Sequence, residues 1–488
     1  MNKQAFNPYL PSYEYVPDGE PYVFGDRVYV YGSHDKFNGT AYCENNYVCW
    51  SADVNDLGNW KHEGVIYKKT QDPMCDGTEK LSAIVPERLL FAPDVQVGAD
   101  GRYYLYYAFD FLGIMAVAVC DTPAGEYEFY GHVHYADGTL LGEKEGDPFQ
   151  FDPGVLVDDD GRVYLYSGFC PVNFPWAILG SKERLIKGGM VIELEEDMIT
   201  VKEEPRVIFS DKAHGEGTDF ERHEFFEASS MRKIGDTYYF VYSSFYGHEL
   251  CYATSKNPVD GFKFGGTIVS NGDIYLNGRS EKDALNYTGN NHGSIVEING
   301  KWYVFYHRQT NRHQYSRQAC AEPITIEKDG SIKQVEITSC GLNNAPLKGT
   351  GEYEARIACN LLSREGAKRY EFGDVLEYYH PYFTQDGEDR EDNPNQHIAN
   401  MNEGAVAGFK YFVFDKVEEI SVKVRGNGSG MFLISTELDG QPAGEIKVSA
   451  KSDWSIFTAP VKIEEGVKPL YFTYKGEGSV DFMSFTIK

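Results

Sequence analysis

Five short, apolar, tyrosine-rich stretches are spaced along the first two thirds of the chain, each entered through a Gly or Asp turn. They are residues 27–32 (Arg-Val-Tyr-Val-Tyr-Gly), 102–107 (Arg-Tyr-Tyr-Leu-Tyr-Tyr), 162–167 (Arg-Val-Tyr-Leu-Tyr-Ser), 237–242 (Thr-Tyr-Tyr-Phe-Val-Tyr) and 301–306 (Lys-Trp-Tyr-Val-Phe-Tyr). Aromatic and β-branched runs of this length, bounded by turn residues, predict β-strands. With the third residue of each as marker (Tyr29, Tyr104, Tyr164, Tyr239, Tyr303), the intervals are 75, 60, 75 and 64 residues. Each interval has room for about four strands. Companion strands recur too, at 115–120 ahead of Asp121-Thr-Pro-Ala-Gly125 and at 249–254 ahead of Ser255-Lys-Asn-Pro-Val-Asp-Gly261. Units of this size, almost all strand, predict a five-bladed β-propeller. An irregular β-sandwich with look-alike turns is the competing reading.

The pattern stops after residues 324–330. Alternating strands then recur at 410–414, 420–424, 430–434, 454–457, 470–474 and 483–487, the spacing of a β-sandwich. The expected organisation is an all-β chain: a propeller catalytic domain over residues 1–335, a connection over 336–352, and a β-sandwich over 353–488. The polar stretch 385–394 reads as a surface loop, with a cation site as its second reading.

Composition narrows the function. With 488 residues and 42% hydrophobic content the chain can bury two cores. No run of about 18 apolar residues is present, and the sequence as given starts without the apolar core of a secretory signal, so a cytoplasmic setting is expected. Nine cysteines, an odd number without CxxC spacing, read as reduced thiols. A net charge of -28 argues against nucleic acid and anionic lipid as partners. A neutral small-molecule ligand fits better, and the 36 tyrosines offer faces for stacking on sugars.

Stepping back 10 to 12 residues from each marker tyrosine reaches Asp18, Asp94, Asp152, Glu227 and His292. In a propeller, equivalent positions at the innermost strands form a ring around the axis. Pro17-Asp18, Pro93-Asp94 and Asp152-Pro153 set each acid beside a proline, and Glu227 follows Phe225-Phe226 in apolar company that would raise a carboxyl pKa. Several acids facing one channel are productive when they divide the work: one ionised base, one protonated acid, one neighbour that tunes the acid. Glycoside hydrolysis needs this, and inversion needs base and acid about 6.5 to 9.5 Å apart to admit a water.

At these residues the chain resembles glycoside hydrolase family 43, whose members include β-xylosidases, α-L-arabinofuranosidases and arabinanases. The likeness spans about residues 7 to 330 and is carried by Asn7-Pro8-Tyr-Leu-Pro11, Pro17-Asp18, Ala92-Pro93-Asp94, residues 152–161, Phe226-Glu227-Ala-Ser-Ser-Met-Arg-Lys233 and Asn291-His292-Gly-Ser294. It implies that Asp18 is the general base, Asp152 the pKa modulator and Glu227 the general acid. Asp94, Arg317 and Phe91 would contact substrate, with Arg317 alternatively a partner of a channel acid. No cofactor is implied for the chemistry; His292 would mark a structural calcium site or be satisfied by a local hydrogen bond. Glu20 rivals Asp18 and Glu224 rivals Glu227, because the motifs here depart from the family's usual Asp-Pro and Glu-Gly-Pro. Residues 428–434, 444–446 and 452–455 resemble family 6 carbohydrate-binding modules. The expectation is an inverting exo-glycosidase on xylo-oligosaccharides or arabinofuranosyl side chains, with an endo-arabinanase or a non-catalytic sugar-binding propeller as alternatives. Oligomeric state stays open.

Overall fold

A computed structural model describes residues 3–76, 88–172, 185–370, 376–390 and 395–488. The chain is all-β; among the described residues the helical elements are short 3-10 turns. Residues 20–67, 90–132, 154–209 and 225–269 each form a four-stranded antiparallel meander, and residues 294–324 a three-stranded one. The five tyrosine-rich stretches form or fall within the second strands: Arg27–Tyr31, Tyr103–Phe109, Val163–Ser167, Thr237–Ser244 and Lys301–Thr310.

The middles of those strands are apolar on both faces because both faces of each sheet are covered. Alternation sends successive side chains to opposite neighbours. Tyr107 packs with Tyr31 and Cys49 between the first and second sheets, whereas adjacent Tyr106 packs with Leu165 and Ile192 between the second and third. Phe240 joins Tyr166 between the third and fourth, and Val241 joins Val304 between the fourth and fifth. Phe305 packs with Val28 and Trp50, bringing the fifth sheet against the first. The opening strands Glu20–Phe24, Leu90–Val97, Gly154–Val157, Phe225–Ile234 and Ser294–Ile298 touch in the same circuit, the fifth against the first.

The fifth sheet borrows chain from the far end of the sequence. Tyr9 N donates to Ala319 O at 3.2 Å, and the Asn7 side chain both donates to Ala321 O at 2.9 Å and accepts from Ala321 N at 3.0 Å.

Residues 347–487 build two further six-stranded sheets around a separate aromatic core that includes Phe409, Phe432, Phe472, Phe482 and Phe485. All six strands expected there are present, each longer than the pattern indicated, and the fourth starts one residue later than expected. The expected connection already supplies Leu347–Lys348 and the first two residues of Gly351–Glu354 to these sheets. Trp454 stands one residue ahead of Ser455–Pro460 and is half-buried, with the Arg425 guanidinium 4.4 Å from its ring. All nine cysteines are free. No helix among the described residues is long and apolar enough to cross a membrane.

Of the polar stretch 385–394, residues 391–394 lie outside the described residues. The rest is a docked segment, with Gln385 buried. Two of its three acids are already engaged: Asp386 takes Arg425 through both oxygens at 2.7 Å, and Asp389 takes Phe37 N and Asn45 Nδ2, while Glu388 faces solvent. That leaves little reason for a cation there.

Candidate active site

Asp18, Asp152 and His292 each lie two residues before an opening strand, while Asp94 and Glu227 lie inside theirs. Asp18 and Asp152 adopt left-handed backbone, with φ of 58° and 45°, which aspartate tolerates better than most residues. The strand carrying Glu227 is irregular on both sides of it, and Ala228 has φ of 70°. The kink aims Ala228 N at Asp152 Oδ2, 3.2 Å away. Bulges of this kind re-aim side chains next to functional sites.

Asp18 is buried, and Arg317 Nη1 donates to its Oδ1 at 2.8 Å. Arg317 is held in turn by Asp35, which takes Arg317 N, Nε and Nη2. Tyr42 lies over the guanidinium at 4.7 Å. His307 donates from Nε2 to Asn290 O at 2.8 Å, so its Nδ1 is free to accept Asp18 N at 3.3 Å. Burial alone would raise the Asp18 pKa, but the Arg317 charge, with His292 adding to it, holds the carboxyl far below the ordinary range.

Glu227 is the opposite case. Burial, then the charges of Asp152 and Asp18, push its pKa well above the ordinary value, against the pull of His292. His292 Nδ1 sits 3.6 Å from Asp152 Oδ2. Burial works against protonation of His292, yet Asp152, Asp18 and Glu20 push its pKa up to about 9. Asp152 is itself raised by burial, and His292 and the Ala228 amide oppose that rise. One carboxylate is thus held ionised and another protonated across a shared cluster, the signature of paired base and acid.

Three expected substrate contacts are enclosed instead. Asp94 has no exposed surface; Tyr22 Oη and Val95 N donate to one oxygen and Val155 N to the other, so it ties opening strands together. Burial and the Glu20 charge raise its pKa to about 7. Arg317 is 2% exposed and bonded to Asp18 and Asp35, the partnership with a channel acid that was its second expected role. Phe91 is buried with Phe111 at 4.7 Å and Phe151 at 4.8 Å. Half-buried Tyr42, Phe111 and Phe226 pack on that aromatic cluster and keep ring surface accessible.

The two rival acids are held differently from Asp18 and Glu227. Glu20 is buried with Arg232 Nη2 on its Oε2 at 2.6 Å. The Glu224 side chain lies against Gly215, away from the cluster that perturbs Glu227.

The calcium implied near His292 does not fit these residues. Glu20 Oε1 and His292 Nε2 lie 3.9 Å apart, both without another partner. However, the surrounding acids favour the protonated form of His292, and Arg232 sits on the other Glu20 oxygen. Two cations repel a third, and calcium needs about six to eight oxygen ligands.

Sequence reasoning missed Asp35, His307 and Arg232. Their motifs carry no distinctive spacing, and only the folded circuit brings them to the acids.

The model for glycosyl hydrolases family 43 matches residues 14–332. A xylosidase/arabinosidase from Thermoclostridium stercorarium is 54% identical over 490 residues, covering 100% of this chain and 99% of that protein. A xylosidase/arabinosidase from Bacteroides ovatus is 32% identical over 61% of this chain and 87% of its own length. The fold is similar to that of an arabinoxylan arabinofuranohydrolase from Bacillus subtilis, with a TM-score of 0.50 at 21% identity, covering 98% of this chain and 96% of that one. The chain is a glycoside hydrolase and belongs to glycosyl hydrolases family 43.

Proposed function

We propose that the protein is an inverting exo-glycosidase that releases xylose or arabinofuranose from short oligosaccharides. Glu227 protonates the glycosidic oxygen, Asp18 takes a proton from water attacking the opposite face of the sugar, and Asp152 keeps Glu227 protonated while ordering the site. The observation that carries this reading is the opposed pKa displacement of Asp18 and Glu227 within one buried cluster. The substrate class rests on the likeness to the xylosidase/arabinosidases.

In this reading residues 1–335 are a five-bladed propeller, supported by the five meanders and their closed circuit of shared cores. Residues 353–488 are a β-sandwich of the carbohydrate-binding-module kind, supported by two sheets around one core.

The test is an assay of the wild type and Asp18→Asn on aryl β-xylosides and aryl α-L-arabinofuranosides, with the first-formed anomer followed by NMR. Turnover of at least one class, its loss in Asp18→Asn and an inverted anomer are expected. A retained anomer sinks the inverting mechanism, and a wild type that binds xylose but turns over nothing sinks the enzyme assignment.

A further inference from the structure

Residues 385–390 run from the C-terminal sheets onto the first sheet's loop, residues 34–45, and the contacts form an unbroken path to Asp18. Tyr15 Oη donates to Gln385 Oε1 at 2.8 Å. Phe37 N donates to Asp389 Oδ1 at 2.6 Å, and Asn45 Nδ2 reaches Asp389 Oδ2 at 3.0 Å. The same Asn45 amide donates to the Asp35 carbonyl at 3.0 Å. Asp35 N donates to Tyr15 O at 2.9 Å, and Tyr15 stacks on Phe37 at 5.5 Å. Arg390 pairs with buried Glu14, which also takes His34 and Trp50. Asp35 then holds Arg317, and Arg317 holds Asp18.

We propose that this segment is a brace through which the C-terminal sheets position the catalytic base, with Asp389 its central positioning residue. The proposal rests on the reading of Asp18 as base. Asp35 sits at the end of a loop with little regular structure, since residues 32–46 lie between the second and third strands of their sheet. A loop of that kind moves unless its backbone donors are engaged. Asp389 engages two of its N–H groups at once and shares one donor with the Asp35 main chain. Removing it leaves the Asp35 loop held by Asp35 N on Tyr15 O and Cys43 N on Asp35 Oδ1, a looser seat from which Arg317 shifts as well.

The experiment compares Asp389→Ala, Asp389→Asn and Asn45→Ala with the wild type in the full chain, reading kcat, KM, the acidic limb of kcat/KM and the melting temperature. The groups facing Asp18 are Arg317, His307, His292, Asp152, Glu227 and Asp35, and none is changed by these substitutions. Asp389→Ala is expected to lower kcat by about tenfold with KM within about twofold. Its acidic limb moves to higher pH, because a loosened Arg317 holds Asp18 less firmly. Asp389→Asn, which keeps one amide oxygen as acceptor, recovers most of the rate. Asn45→Ala breaks the same path from the other side, so its loss does not add to that of Asp389→Ala. If Asp389→Ala does not fold, Asn45→Ala and Asp389→Asn carry the test. Wild-type kcat and acidic limb in Asp389→Ala, or in Asn45→Ala where Asp389→Ala does not fold, overturn the brace. If those variants match the wild type while Asp18→Asn is inactive, only the brace falls; an active Asp18→Asn removes the reading beneath it.

Discussion

At Asp18 a buried guanidinium keeps a carboxylate charged, while at Glu227 burial and two like charges keep a carboxyl protonated, and the pH dependence follows from the two signs. Activity needs Asp18 ionised and Glu227 protonated. Because the Asp18 pKa is depressed, the acidic limb should extend far down in pH; because that of Glu227 is raised, activity should fall only as pH climbs through its displaced value. A kcat/KM profile on an aryl xyloside reads both. Glu227→Ala should lose on the order of a hundred- to ten-thousand-fold on natural glycosides and far less on an aryl glycoside with a good leaving group; equal losses on both would take Glu227 out of the acid role. Arg317→Met leaves Asp18 and Asp35 buried without their cation. It should cost about 3–5 kcal/mol of stability, read by denaturant unfolding, and move the acidic limb upward.

Among the elements, the strands were the most legible part of the sequence. A run such as Thr237–Ser244 is apolar on both faces because Tyr238, Phe240 and Tyr242 fill one core and Tyr239 and Val241 the next, so the run itself announces an enclosed strand. The fixed offset from those strands also led to Asp18, Asp152, Glu227 and His292. It could not tell which side chains at that offset join the Asp18 cluster: Asp94 shares the spacing yet is held by three donors that tie opening strands together, and Phe91 shares the motif yet packs on Phe111 and Phe151. Spacing records where a backbone stands, whereas exposure depends on neighbours far away in sequence. Asp35 and His307 were invisible for the same reason, being defined only by contact with residues about 280 positions distant. Gly293 tests the positioning of the opening strands. A Cβ there would lie 1.8 Å from Phe305 O, so Gly293→Ala must displace the backbone beside His292. A loss of about 2–3 kcal/mol and of most of the activity is expected, measured by thermal unfolding and turnover; an unperturbed variant would mean that this strand has slack.

For the whole molecule, the buried acids around Asp18, Glu20 and Asp152 are met by the protein's own basic groups, Arg317, Arg232 and His292. Chelation should therefore leave kcat and melting temperature unchanged, and added calcium should raise neither; a fall on chelation, restored by calcium, would return a metal to the structure. The acidic surface implied by the charge of -28 keeps the protein away from polyanions without hindering a neutral sugar.

The borrowed edge of the fifth sheet also bears on how the molecule is made. Asn7 and Tyr9 leave the ribosome more than 300 residues ahead of their partners Ala321 and Ala319. The four earlier sheets can form while the chain is still growing, yet the seam that joins the fifth to the first has to wait for synthesis to pass residue 321. Until then the apolar flank that carries Val28 and Trp50 is uncovered, and it is during that interval that a nascent chain would be most in need of a chaperone.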